Sequence, residues 1–133
     1  MLTHHGRDNE DIARSWIAHY ARFGRPSSAE QIKAHDDDPD WWAVNSLMEL
    51  DGQDPVRSLD IVFLISRGSD DGWVLENLGA GPIENLINDD PTLLDAIELE
   101  VASNPRLREA LQSVWRGDIS EDTWARLQKI VGS

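Results

Sequence analysis

Four dipeptides, Asp54-Pro55, Gly81-Pro82, Asp90-Pro91 and Asn104-Pro105, punctuate the second half of this 133-residue chain. They constrain its fold more than any other feature. Each sets a residue suited to a helix N-cap before a proline, and proline suits the first helical position because the N–H it lacks has no partner there anyway. Between these marks apolar residues recur every three or four positions, and no stretch alternates long enough to be a strand. The pattern predicts an all-α fold: one domain over 1–133 built from about eight short helices. Short linkers favour antiparallel or orthogonal helical hairpins, HEAT-like in outline, and two-turn helices must be held by their neighbours because they do not persist alone in water.

The individual segments follow from the same rules. Ile12, Trp16, Ile17, Tyr20 and Phe23 form one stripe, closed by Gly24. Pro26 and two serines open a short second helix reaching about His35. Asp40 is placed to cap a third, carrying Trp41, Trp42, Val44, Leu47, Met48 and Leu50 up to the breaker Asp51-Gly52-Gln53. Leu59 to Ile65 is apolar nearly all round and predicts the buried centre. Gly68, Gly79, Asn88 and Gly117 sit where a C-cap calls for a left-handed residue. Ser120 caps a last helix through Trp124, Leu127 and Ile130. Residues 1–8, with His4 and His5, are expected to fray.

Charge separates the function classes. Lys and Arg total 12 against 25 Asp and Glu, a net of −13. Residues 1–35 hold five basic and four acidic groups and residues 36–133 hold seven and 21, so the excess lies in the body of the chain. Such a surface repels phosphate backbones, which argues against direct nucleic-acid binding. It attracts a basic protein and speeds the encounter, and it also serves plain solubility. The absence of cysteine removes disulfides, thiolate metal sites and Cys nucleophiles. The longest apolar run, Ile61 to Ile65, is too short for a bilayer, and no apolar leader opens the chain, so a cytoplasmic protein without membrane contact is expected.

The stretch His35-Asp36-Asp37-Asp38-Pro39-Asp40-Trp41-Trp42 looks most like a site. Asp36, Asp38 and Asp40 have the spacing that begins a calcium loop, but the sixth and twelfth positions, which need Gly and Glu, hold Trp41 and Leu47. No metal or cofactor is therefore assigned. Four aspartates beside two adjacent tryptophans resemble an interface, with charge to recruit a basic partner and an aromatic anchor to hold it. Asp36, Asp37, Asp38, Asp40, Trp41 and Trp42, joined by Asp70 and Asp71 in a second acidic turn, are the candidate partner-binding residues. The same aspartates also favour the start of the following helix. His19 has no carboxylate at useful spacing on its own helix, and no catalytic residue is assigned.

Residues 76–87, Glu-Asn-Leu-Gly-Ala-Gly-Pro-Ile-Glu-Asn-Leu-Ile, resemble a phosphate loop only superficially. The segment before them is helical, Pro82 removes one N–H, and acids follow. Gly79 reads as the C-cap of one helix and Gly81 as the N-cap of the next, with Glu84 satisfying the second helix's N-terminus. Residues 75–115 resemble a family of small, acidic, all-helical bacterial proteins of unknown function with an LGAGP(L/I)E signature. The matching positions are Leu78, Gly79, Ala80, Gly81, Pro82 and Glu84, then Ile97, Glu98, Ala102, Pro105, Leu107, Arg108, Ala110 and Leu111. The resemblance implies an accessory role in toxin or defence systems and carries over no catalytic residue. The resulting expectation is a non-enzymatic protein-binding module, most concretely an acidic immunity-type inhibitor of a basic toxin or nuclease. Its competitors are a carboxylate-dependent enzyme, with or without metal, at His35 and Asp36 to Asp40, and a structural or accessory subunit.

Overall fold

The computed structural model describes residues 7–24 and 27–132; the expectations for His4, His5 and Pro26 lie outside them. The order is α1 (Asn9–Arg22), α2 (Ala29–Asp36), α3 (Trp41–Gln53), α4 (Pro55–Gly68), α5 (Gly72–Leu78), a π turn (Gly79–Ile83), α6 (Glu84–Asp89), a 3-10 turn (Pro91–Leu93), α7 (Leu94–Val101), α8 (Pro105–Leu111) and α9 (Glu121–Gly132). The described chain contains no strand. Helical hydrogen bonding runs unbroken from α5 through the π turn into α6, and from the 3-10 turn into α7. Among the described residues the nine α segments therefore make eight rods, the all-α domain that the punctuation predicts.

Three of the four proline marks act as expected. Asp54, Asp90 and Asn104 each accept a backbone N–H from the first turn of the element they cap, with Pro55, Pro91 and Pro105 just inside. Asp8, Ser28, Asp71 and Ser120 cap their helices in the same way. The fourth mark fails. Pro82 lies inside a helix, and neither Gly79 nor Gly81 caps one. Gly79 sits at φ −69° and ψ −46°, ordinary helical values.

The physical reason is a one-residue expansion. A proline in mid-helix lacks the bonding N–H and presses its ring on the carbonyl four residues back; widening the turn relieves both without ending the helix. The backbone N–H of Glu84 accordingly bonds the carbonyl of Gly79, five residues behind it. Gly79 serves close approach instead of turn geometry, since a Cβ there would lie 1.9 Å from the carbonyl oxygen of Ala110 in α8. Gly68 and Asn88 also adopt no left-handed backbone; among the described residues only Gly117, in the α8–α9 loop, has positive φ, at +48°. The Asp51-Gly52-Gln53 sequence likewise does not stop α3, which runs through it.

α4 is the centre, packed against α1, α3, α5 and α8. Leu59, Ile61, Val62, Phe63 and Ile65 are all buried, as the apolar run predicts. α1 belongs to the core, to which it gives Ile12 and Trp16. α2 differs from every other α-helix in burying no residue, with Ile32 51% exposed, so polar contacts at its C-terminal end must hold it.

Candidate functional site

The acidic stretch before α3 resolves into a buried polar cluster that ties α1 to the α2–α3 turn. His19 is fully buried and its Nδ1 lies 2.9 Å from an oxygen of Asp38, whose side chain is 3% exposed. A carboxylate accepts, so Nδ1 donates. Nε2 of His19 then faces His35, both of whose ring nitrogens lie within 3.1–3.2 Å. Arg22 closes the far side, donating to Asp38 and, at 2.9 Å, to Asp40. Trp41, Tyr20 and Phe23 pack around the two imidazoles. Burial opposes ionisation of Asp38, but hydrogen bonds from His19, Arg22 and the Asp40 backbone N–H together hold its carboxyl below the usual range. Burial, and then the neighbouring His19, lower the pKa of His35. The Asp38–His19–His35 chain ends at His35, whose ring packs against Tyr20, Phe23 and Trp41. Among the described residues no three His, Asp or Glu side chains are placed to hold a metal ion.

Two concavities flank the π turn. One is a half-enclosed cleft of about 170 Å³ between α1, α3 and the turn, lined by Trp16, Tyr20, Val44, Met48, Asp51 and the segment around Ala80 to Asn85. Asp51 is 6% exposed. The Ser58 hydroxyl donates to one of its oxygens at 2.5 Å and the Asn85 amide to the other at 3.3 Å. Burial, with the like charge of Asp89 adding to it, pushes its carboxyl up to about 6 against the two hydrogen bonds.

The second concavity is a wider, shallower groove of about 500 Å³ lined by Trp73, Glu76, Asn77, Ala80, Glu84, Trp115 and Gly117. Trp115 is 76% exposed, a large aromatic surface turned to solvent. Its position is fixed by Glu84, whose carboxylate accepts the Trp115 backbone N–H at 2.8 Å. Glu84 thus reaches 31 residues along the chain to anchor the α8–α9 loop, rather than closing a helix N-terminus of its own.

The structure disperses the predicted partner-binding residues. Asp36 and Asp37 are exposed. Asp38 is buried and Asp40 half-buried, and both spend their charge on Arg22. Asp40 stands at the N-cap of α3 but makes no side-chain cap bond. Trp41 and Trp42 are half-buried against the core, and Arg7 stacks 4.5 Å over the Trp42 ring. Asp71 caps α5, while Asp70 is exposed and lies 3.6 Å from Arg106. Sequence reasoning missed the partner of His19, 19 positions away, along with Asp51 and the Trp115 groove. The only hint of Asp51 is its place at the end of the apolar stripe of α3, and Trp115 closes the 75–115 segment, where only the family resemblance covers it.

No curated protein and no solved structure matches the chain. A family model does, over residues 30–133. The matched span begins inside α2, so α1, with its contributions to the core, the His19 cluster and the cleft, precedes it. The chain belongs to a family of unknown function, DUF6869.

Proposed function

We propose that this chain is a non-enzymatic binding module for a basic protein, and that the Trp115 groove is where the partner's cationic side chain docks. The observation that carries the reading is an exposed tryptophan that lines one groove together with Glu76, Glu84 and Trp73, on a chain of net charge −13. Aromatic faces attract cations, and carboxylates on either side add charge-assisted hydrogen bonds to a guanidinium or ammonium. An exposed Trp held by a backbone anchor also pays little ordering entropy on binding, which is how hot spots concentrate affinity.

The chain's own cations support the same reading, because several are already matched internally. Arg22 pairs with Asp38 and Asp40, Arg67 with Glu100, and Arg126 with Asp95 and Glu98. The surplus surface charge is therefore carboxylate, exposed Asp36 and Asp37 included. In its most concrete form the module is an immunity-type inhibitor covering the basic substrate surface of a nuclease or other toxin.

The test is co-expression with the products of the flanking genes, followed by affinity measurement at low and high salt for the wild type and Trp115→Ala. A complex weakened at least tenfold by Trp115→Ala, and weakened again by salt, supports the proposal. No complex, or one indifferent to both perturbations, overturns it.

A further inference from the structure

Three well-shielded carboxylates stand out, and two of them have a cation. Asp38 has Arg22, and Glu100 has Arg67 in a two-point contact at 2.5 and 2.7 Å. Asp51 has neither. Its described partners are a hydroxyl and an amide, both neutral, and the charged group acting on it is Asp89, of its own sign. A buried carboxylate without a counter-charge is costly to keep ionised, and that cost falls when a cation from outside supplies the charge. Asp51 is also the acid that lines the cleft beside the π turn.

We propose that this cleft binds a small organic ammonium ion, with its cationic head on Asp51 and its apolar tail among Val44, Met48 and Tyr20. The binding is separate from the basic-partner groove and does not depend on it. Each oxygen of Asp51 accepts one described hydrogen bond, and a carboxylate oxygen has capacity for about two, which leaves acceptor positions for an ammonium's N–H groups. Tyr20 and Trp16 border the cleft from α1 and give it the aromatic lining that ammonium recognition uses. Asn77 and Asn85 supply amide groups from the opposite wall.

The expanded turn is what makes room. Ala80 and Gly81 form part of the lining, and nothing lies within 4 Å of the position a Gly81 Cβ would take. A space of about 170 Å³ corresponds to on the order of five or six waters at roughly 30 Å³ each. That suits the body of a compact monoamine of similar heavy-atom count. The elevated proton affinity of Asp51 fits the same picture, since a site that wants a positive charge takes a proton when no other cation is present.

The experiment uses the full chain with n-butylammonium chloride as the probe and 1-butanol as its uncharged isostere, at pH 7.5, by titration calorimetry and thermal shift. The expected result is saturable binding of butylammonium with a rise in Tm, no effect of butanol, and at least a tenfold loss of affinity in Asp51→Asn. Gly81→Leu, which fills the cleft without touching Asp51, must abolish the effect as well and serves if Asp51→Asn does not fold. Undiminished binding in a folded Asp51→Asn or in Gly81→Leu overturns the proposal. Equal binding of butanol, or no binding of butylammonium, does the same.

Discussion

Replacing Asp51 by Asn removes the charge while nearly keeping the shape, and the raised carboxyl gives the sign of the effect and its order of magnitude. The carboxyl is raised from 3.8 to about 6 in the fold, a difference of 6 − 3.8 = 2.2 pH units. At about 1.36 kcal/mol per unit this amounts to about 3 kcal/mol. The native state holds the proton more tightly than the unfolded chain, so this cost is absent below pH 3.8 and grows as pH rises through the interval. It is complete above about pH 6. Asp51→Asn should therefore match the wild type near pH 4 and exceed it by about 3 kcal/mol at pH 8, reduced by up to about 1 kcal/mol because only one of Ser58 and Asn85 can go on donating, to the amide oxygen, while the other must turn to accept from the amide N–H. Urea unfolding at the two pH values, followed by tryptophan fluorescence, measures the difference directly. A variant that is no more stable than the wild type at pH 8, or whose advantage is the same at both pH values, would show that Asp51 is not a buried charge without a partner.

Two further perturbations separate the roles of neighbouring residues. Gly79→Ala drives a Cβ to 1.9 Å from the Ala110 carbonyl and should cost about 3 kcal/mol or more by forcing the rods apart, whereas Gly81→Ala meets nothing within 4 Å beyond its own helix and chain neighbours and should cost far less, its penalty confined to the contact of its Cβ with the ring of Pro82; thermal melts of the pair decide. Acid should loosen α2 first. Both His35 and Asp38 have lowered pKa values: the His35 contribution is complete above about pH 6.5 and lost as pH falls through its lower folded value, and that of Asp38 follows at lower pH in the same sense. The protection factors of α2 amides should fall as pH drops below about 6.5 in the wild type, with a flatter pH dependence in His35→Ala; unchanged protection in both would refute the coupling.

These opposing pH responses show why the fold was legible in the sequence and the sites were not. Caps and periodicity are local: Asp54, Asp90 and Asn104 act on N–H groups two or three residues ahead, so their dipeptides could be read directly. Leu59 to Ile65 likewise announces burial by composition alone. The chemistry depends on pairs that the chain brings together from afar. His19 meets Asp38, Asp51 meets Ser58 and Asn85, and Glu84 meets the Trp115 backbone, and no spacing rule connects them. The Gly-Ala-Gly-Pro segment shows the boundary between the two kinds of information. Its composition matches a turn between helices, and by local rules a turn is the better choice. What overrules those rules is tertiary: α8 packs so closely on Gly79 that only glycine fits, and a widened turn lets the helix pass Pro82 unbroken. Residues of the same turn line both the cleft with Asp51 and the groove with Trp115. The motif that separates helices in the sequence instead joins them in the structure, and its residues line both candidate sites.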